Sequence, residues 1–517
     1  MFTLIQKLHR KRLLTSSGLF YLLEGVFTTG GNLMLLLRLA AKLHPNRLAI
    51  VDEREQLTYD QLWKQAEYLA SILHQDYGIG SHQKIAVICR NHAAAIKTIF
   101  AISRLGAHCF LINPDMSAEQ LQALENRLAF DFVILDKQVA PLFDGLPLKN
   151  KTLAAYASTD ESVDRITSNV KTVPRLKRTK KGTIVVMTSG ITGQPKLVRR
   201  KPSAFDYLPL FFDFLTQADL DEYQLIHIAT PICHGYGLAF LLIAIALGAQ
   251  IYMTERFDAV QSCSLIETNK IQVVILVPMM LKRMLEYDPD ALSSLQRIIT
   301  GSAPLSPTLA QKTLAQLGQK LFNLYGTSEA GFSIMGTPDI LDKKSASIGR
   351  PIRGVRVKIV DAFEQDVPEG VIGRLYIRSA WASDKNEWTD TDDLAYRDSE
   401  GTIFLCGRAD DMIISGGENV YPAELESVLA RHPDIESVAV FGIPDQEFGQ
   451  RLMAVVVKKH DTMLTQTTLL AWLKPRVARY QMPAIIDFRD KLPYTSFGKL
   501  DRKSLHHHVS SRQRPSP

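Results

Sequence analysis

Residues 183–196 read Thr-Ile-Val-Val-Met-Thr-Ser-Gly-Ile-Thr-Gly-Gln-Pro-Lys. The β-branched run Thr183–Met187 has the character of a short buried strand. It breaks abruptly into Thr188-Ser-Gly-Ile-Thr-Gly-Gln-Pro-Lys196. In such a loop glycines let the backbone approach an anion, hydroxyls add donors, and the lysine brings a point charge suited to phosphate. It is not a kinase-type P-loop, which has four residues between its glycines, Lys directly after the second, and a helix beyond. Here Gly190 and Gly193 are two residues apart, Lys196 follows Pro195, and Leu197-Val198 look extended. By itself the stretch reads either as a phosphate cradle or as a plain hairpin turn.

Working outward, the same form recurs. Leu225–Ala229 runs into Thr230-Pro231, Val273–Val277 into Pro278, Arg297–Thr300 into Gly301-Ser302-Ala303-Pro304, and Leu321–Leu324 into Tyr325-Gly-Thr-Ser-Glu329. Open α/β sheets collect ligands at the carboxyl ends of their strands, where these polar groups fall. Upstream, Lys84–Cys89, His108–Ile112 and Phe132–Leu135 read as further strands, Ala93–Leu105 as a helix, and residues 160–182 as a polar, exposed connection. After Ser345 the pattern shifts to short alternating strands (Val355–Val360, Arg374–Arg378, Thr402–Cys406). From Arg408 to Asp411 it turns to a compact α+β arrangement, with helices Pro422–Arg431 and Thr467–Arg479 and strands Ser437–Phe441 and Leu452–Lys458. The expected fold is α/β: a large N-terminal body of α/β layers plus a β-barrel-like subdomain, then a small mobile α+β C-terminal domain. The expected divisions are an N-terminal helical extension over 1–44, a body over 45–407, a hinge at 408–411, a C-terminal domain over 412–505 and a polar tail over 506–517.

The composition agrees and excludes alternatives. At 517 residues, 46% hydrophobic and 22% charged, the chain is neither disordered nor fibrous and has material for a large core. A net charge of +6 is thinly spread, and the basic runs Lys7–Arg12, Arg175–Lys181 and Arg199–Lys201 lack the interleaved aromatics of a nucleic-acid face. Cys89, Cys109, Cys233, Cys263 and Cys406 form no metal or redox spacing and suit buried thiols of a reducing, cytoplasmic compartment. Leu13–Leu37 is leucine-rich but interrupted by Glu24 and glycines, so it reads as a core-covering or amphipathic helix pair. Flanked by Lys7–Arg12, it also suits peripheral membrane contact. Leu238–Leu247 is too short to span and reads as a buried helix.

The glycine-rich stretch resembles the phosphate-binding loop of the AMP-forming acyl-CoA synthetases and the wider adenylate-forming superfamily, which includes luciferases and adenylation domains. Further motifs of that family follow in order: His234-Gly235, Gly301-Ser-Ala-Pro304, Tyr325-Gly-Thr-Ser-Glu329, Thr391-Asp-Asp-Leu394, Gly407-Arg-Ala-Asp-Asp411, Ser415-Gly-Gly-Glu-Asn-Val-Tyr-Pro422 and Pro493-Tyr-Thr-Ser-Phe-Gly-Lys499. Leu57-Thr-Tyr-Asp-Gln-Leu62 also fits, and the likeness covers roughly residues 45–505.

The resemblance implies a role for each position. Thr188, Ser189, Gly190, Thr192, Gly193 and Lys196 would wrap the β- and γ-phosphates of ATP. Gly301, Ser302, Ala303 and Pro304 would line the adenine pocket, with the Tyr325 ring against the base and Gly326 and Thr327 beside the nucleotide. Ser328 would contact the α-phosphate, Asp393 and Arg408 would bind the ribose, and Glu329, with Thr188, would hold magnesium. Lys499 would neutralise the meeting of carboxylate and α-phosphorus, Thr192 and His234 would assist, and Asp410 would sit at the hinge. Gly416 and Gly417 would border the pantetheine channel.

Three positions depart from the family pattern. Ile191 replaces a hydroxyl residue, Asp392 replaces a glycine and adds a carboxylate near the ribose, and Phe497 replaces a small polar residue. Pro231-Ile-Cys-His-Gly-Tyr-Gly237 carries no acid to pair with an amino group. The implied substrate is therefore a plain carboxylic acid, with His234, Tyr236, Leu238, Val277, Met279 and Met280 lining an acyl pocket and a medium- or long-chain fatty acid favoured. The acceptor is CoA, or alternatively phosphopantetheine on an acyl carrier protein. A nucleotide-binding relative without turnover and a kinase or ATPase are the rival readings.

Overall fold

The computed structural model describes residues 2–505 apart from 12, 144–151, 158–160, 171, 173–174, 180–181, 189–195, 201–203, 385, 410, 416–417, 446–448, 461, 495–499 and 502–503. The chain divides into two compact units. One comprises Met1–Ser302, Ile352–Gly354 and Ala380–Lys385, and the other Ala303–Pro351, Val355–Ser379 and Asn386–Pro517.

The first unit carries two sheets. One has the order Thr152–Ala154, Phe132–Leu135, Lys84–Ile88, His108–Leu111, Ile184–Thr188, Lys196–Arg200, with only the last strand antiparallel. The other runs Arg297–Gly301, Val273–Leu276, Leu225–Ile228, Gln250–Tyr252, Leu48–Val51 in parallel and ends on antiparallel Gln56–Thr58. Parallel strands covered on both faces must be apolar throughout. Phe132–Leu135 and Val273–Leu276 are accordingly buried at every residue. On one face of the first sheet, Leu121, Leu124 and Leu128 of the Ala118–Leu128 helix close a core with Ala86, Phe110 and Val133.

The Ala93–Leu105 helix is buried at every position, so its two cations must be satisfied internally. Lys97 Nζ reaches Glu55 at 2.9 Å, Gln65 at 3.1 Å and Thr167 at 3.0 Å. Arg104 Nε donates to Glu67 at 2.8 Å, and its other nitrogens donate to the carbonyls of Leu176 and Lys177. Thr167 belongs to a short helix, Val163–Ser168, where an exposed connection was expected. That helix has an inward job, since its threonine completes the Lys97 shell.

One helix, Phe2–Arg10, precedes the helix pair expected over Leu13–Leu37, which forms as Ser16–Thr28 and Leu33–Leu43. The third covers the core through buried Leu33, Met34, Leu37 and Ala40. The first is pinned by Lys7 Nζ, 2.6 Å from Asp219 and 2.9 Å from Asp221. All five cysteines are free and buried. Among the described residues no helix is long and apolar enough to cross a membrane.

In the second unit, the β-barrel-like subdomain takes the form of an antiparallel meander, Arg356–Val360, Gly373–Arg378, Thr389–Arg397, Ile403–Arg408. Its inner face (Ile359, Leu375, Ile377, Ala395, Ile403) packs with Ala330 and Ile334 of the Leu321–Thr327/Gly331–Gly336 hairpin. The C-terminal segment is a sheet of Glu418–Val420, Ile413–Ser415, Gly449–Lys458 and Ile435–Asp445, with Ile485–Arg489 parallel to Gly449–Lys458. Helices Pro422–Leu429 and Gln466–Leu473 cover one face of it. The second helix stops at Leu473, short of the expected Arg479, because Pro475 cannot supply a helical N–H.

His227 shows how completely the parallel core is dehydrated. Its Nδ1 lies 3.1 Å from the Tyr252 carbonyl, which can only accept, so Nδ1 carries the hydrogen and Nε2 accepts from Ser262 Oγ at 3.3 Å. Burial pushes this imidazole down to about 4 from 6.5, although the Tyr252 bond favours the charged form. The unfolded chain therefore takes up a proton here from pH 6.5 downward while the folded chain resists until about pH 4, so stability falls as pH drops through that window. Urea unfolding should show this residue contributing a loss of about 2 kcal/mol between pH 6.5 and 5. His227→Gln should lack that part of the acid slope, and an unchanged slope would contradict the assignment.

Candidate active site

The glycine-rich loop joins two antiparallel strands. Thr188 ends Ile184–Thr188, Lys196 begins Lys196–Arg200, and the two are direct cross-strand partners. The element after Lys196 is thus a strand, as Leu197-Val198 suggested, and not the helix that a kinase-type P-loop requires. Ser189, Gly190, Thr192 and Gly193 lie outside the described residues, as does Ile191. Their loop is nevertheless anchored at both ends by this register.

Adjacent strands place the acyl-pocket candidates. Leu225–Ile228 and Val273–Leu276 are parallel neighbours, so the segments leaving their carboxyl ends emerge side by side. His234 directly precedes the Gly235–Ala246 helix and Val277 directly precedes Pro278–Tyr287. Leu238, Val277 and Met280 are buried and Met279 is half-buried. Tyr236 is buried against Phe240, and its hydroxyl donates to the Ile299 carbonyl at 2.9 Å, so its phenol is occupied by the neighbouring strand. Desolvation holds that phenol well above its ordinary pKa.

Asn91 orders this region, and sequence reasoning missed it. Its side-chain amide donates to Thr230 O at 2.9 Å and its carbonyl accepts from Ile232 N–H at 2.8 Å. One buried Asn thereby ties the end of the first sheet's Lys84–Ile88 strand to the loop carrying His234. An Asn just past a strand was the only available signal.

At the end of Arg297–Gly301, Ser302 adopts φ 64° while exposed. A non-glycine residue in the left-handed region is uncommon and clusters at binding sites. Ala303 and Pro304 continue the chain into the second unit.

In the second unit, an antiparallel register sets Asp393 opposite Arg408. Asp393 Oδ1 lies 3.5 Å from Arg408, and Oδ2 accepts from the Tyr325 hydroxyl at 2.5 Å. Burial, and then the Asp393 charge, hold the Tyr325 phenol far above its usual range. The backbone N–H of Asp393 donates to Thr391 Oγ1 at 3.2 Å. Tyr325, Asp393 and Arg408 are therefore one preformed group. Asp392, expected as a carboxylate added near the ribose, has φ 58° and is shared between Arg374 and Arg408 at 3.4 Å each. Its charge is thus locally compensated.

Beyond Tyr325 the hairpin closes tightly. A Cβ on Gly326 would lie 2.2 Å from the Gly331 carbonyl oxygen, so only glycine fits. The turn carries Thr327, whose Oγ1 accepts from Ala330 N–H at 3.1 Å, together with Ser328 and Glu329. Glu329 is half-buried and no cation among the described residues pairs with it. A carboxylate in that state fits a hard cation such as magnesium. Asp410, Gly416, Gly417, Phe497 and Lys499 lie outside the described residues.

Another cluster, Cys89, His92 and Asp136, has the proximity of a metal site and is wholly buried. Its donor atoms are already engaged in hydrogen bonds. His92 Nδ1 accepts from Ala95 N–H at 3.0 Å, so Nε2 carries the hydrogen toward Asp136 at 2.7 Å. Burial would raise the Asp136 carboxyl, but the bonds from His92 and from the Arg90 N–H hold it below the usual range. The arrangement is a structural network capping the Ala93–Leu105 helix.

Comparison with known proteins matches these observations. The family model "AMP-binding enzyme" matches residues 37–384, and "AMP-binding enzyme C-terminal domain" matches 424–499. The chain is 29% identical over 506 residues to an indoleacetate–CoA ligase of Aromatoleum aromaticum, covering 91% of this chain and 97% of that one. It is 26% identical over 491 residues to the fatty acid–acyl-carrier-protein ligase ScoC of Streptomyces coeruleorubidus, covering 90% and 94%. The structure of the amide bond synthetase McbA from Marinactinospora thermotolerans superposes with a TM-score of 0.82 at 24% identity, covering 92% of this chain and 99% of that one. With a motif-bearing loop anchored by strand register, a preformed Tyr325–Asp393–Arg408 group and a family match over most of its length, the chain belongs to the AMP-binding, adenylate-forming enzymes and is an AMP-forming acid–thiol ligase.

Proposed function

We propose that this ligase activates a medium- or long-chain fatty acid with ATP and transfers the acyl group to CoA. The observation that carries the acid class is the wall at the carboxyl ends of two neighbouring strands. Leu238, Val277 and Met280 are buried there, and the Tyr236 hydroxyl is already spent on Ile299. What remains is aliphatic and thioether surface, suited to a flexible alkyl chain. The relatives divide between an aromatic acid and a fatty acid, and between CoA and a carrier protein.

In the first half-reaction a carboxylate oxygen bonds to the α-phosphorus of ATP and the bond to pyrophosphate breaks, giving an acyl-adenylate. In the second, a thiol attacks the mixed anhydride and AMP leaves. Negative charge meets negative charge in the first step, so positioning and charge neutralisation are the main contributions. Thr188, Ser189, Gly190, Thr192, Gly193 and Lys196 take the β- and γ-phosphates, and Gly301–Pro304 and Tyr325 take the base. Ser328 takes the α-phosphate, and Asp393 and Arg408 take the ribose. Magnesium, held at Glu329 with Thr188, would supply further neutralisation of phosphate charge. Lys499 would neutralise charge at the reacting carboxylate, His234 would assist at the acyl group, Asp410 would serve as the hinge, and Gly416 and Gly417 would border the pantetheine channel.

Four measurements test this reading. Thioester formation with CoA should be more efficient for dodecanoate than for indoleacetate, by roughly tenfold or more in kcat/KM; the reverse order overturns the acid class. A phosphopantetheinylated carrier protein that outcompetes CoA overturns the acceptor. Lys499→Ala should slow acid-dependent pyrophosphate release by about 10²–10³-fold while still converting supplied acyl-adenylate to thioester. Equal loss in both half-reactions would remove Lys499 from its assigned role. Finally, Tyr325→Phe leaves Asp393 without its 2.5 Å donor and should raise KM for ATP by about tenfold with kcat little changed. An unaltered KM would show that the group does not serve the nucleotide.

A further inference from the structure

We propose that the Ser16–Thr28 helix is a docking face for an anionic lipid bilayer. This helix is packed inside out. Its buried side is glycine: Gly18 and Gly25 face inward, and a Cβ on Gly25 would stand 2.5 Å from Leu35 Cδ1. Its outer stripe is Phe20, Leu23 and Phe27, at 62%, 60% and 72% exposure. Their spacing at i, i+3 and i+7 sets all three on one face, and Leu14 and Leu19 are exposed close by. A helix optimised only for its own unit would turn its phenylalanines inward. Here glycines let the helix lie close on the Leu33–Leu43 helix, and the large apolar groups are left for another phase.

Charge identifies that phase. The helix has one acid, Glu24, and it is paired with Arg38 at 2.6 Å. At the carboxyl end, a Cβ on Gly30 would lie 3.4 Å from Arg178 Cγ, and Asn32 Nδ2 reaches Thr179 Oγ1 at 3.5 Å. The segment carrying Arg175, Lys177 and Arg178 therefore lies at the carboxyl end of this helix, the end that carries Phe27. All three cations are exposed, and no carboxylate among the described residues pairs with them. An apolar stripe beside uncompensated cations has the chemistry of a helix lying at headgroup depth, with rings among acyl chains and cations near lipid phosphates. A symmetric contact with a second copy is less suited, because it would gather like charges around the stripe without counter-charges. The inference stands apart from the identity of the acid substrate.

Cosedimentation of the full chain with phosphatidylcholine vesicles, with and without phosphatidylserine, tests it. Binding should require phosphatidylserine and weaken with salt. Phe20→Ser/Leu23→Ser/Phe27→Ser should abolish it, and Arg175→Gln/Lys177→Gln/Arg178→Gln should weaken it by about a hundredfold, near fivefold per charge. Both variants should keep wild-type thioester formation with a short, water-soluble acid, because none of the six residues belongs to the site. Failure of the wild type to bind anionic vesicles overturns the proposal. So does undiminished binding by the serine variant, or a wild-type dimer that this variant converts to monomers without any vesicle binding.

Discussion

Burial of parallel strands on both faces is the constraint from which the rest of this enzyme follows. Strands such as Phe132–Leu135 and Val273–Leu276 have no position at which a polar side chain can meet water. Chemistry is displaced to the carboxyl ends, where the chain must break its pairing and where strand register then decides which groups become neighbours. The glycine-rich loop is anchored because Thr188 faces Lys196 across a hairpin. The loop before His234 is held because Asn91 bonds to both sides of it. Where a polar group does enter the interior, as at His227, Lys97 or Arg104, it is enclosed by named partners and serves the fold.

The second unit obtains the same precision by another route. Its antiparallel meander sets Asp393 opposite Arg408, and the hairpin bearing Tyr325 supplies a short hydrogen bond to the same carboxylate. A carboxylate with one donor on each oxygen is fixed in orientation yet retains lone pairs for further hydroxyls. That combination suits a ribose: rigid before the ligand arrives, and unsaturated in acceptor capacity. The compensation of Asp392 by Arg374 and Arg408 explains how the chain carries an extra acid beside this group.

Much of this was legible in the sequence because buried strands announce themselves. Lys84–Ile88, Val273–Leu276 and Arg297–Gly301 are apolar runs ended by Gly, Pro or hydroxyl residues, and each lies where that reading expected it. The motif order identified the family for a related reason, since phosphate, ribose and cation each demand particular residue types. Pairing across elements was not legible. The contact of Asp393 with Tyr325 depends on a register containing a bulge between Leu394 and Ala395, and on Asp392 adopting a positive φ. The bridge from Asn91 is a long-range bond that local pattern does not encode. Nor does periodicity say which face of Ser16–Thr28 is buried: the rule that large apolar groups go inward gives the opposite orientation to the one found.

In this enzyme the acid is activated by bonding its own oxygen to the α-phosphorus of ATP before any thiol acts. Supplying the enzyme with ATP, CoA and a carboxylic acid labelled with heavy oxygen in its carboxylate tests this directly, by mass analysis of the nucleotide released. Each turnover should leave one labelled oxygen in the phosphate of AMP, with unlabelled pyrophosphate. ADP as the product, with the label in inorganic phosphate, would contradict it, and so would AMP carrying no label.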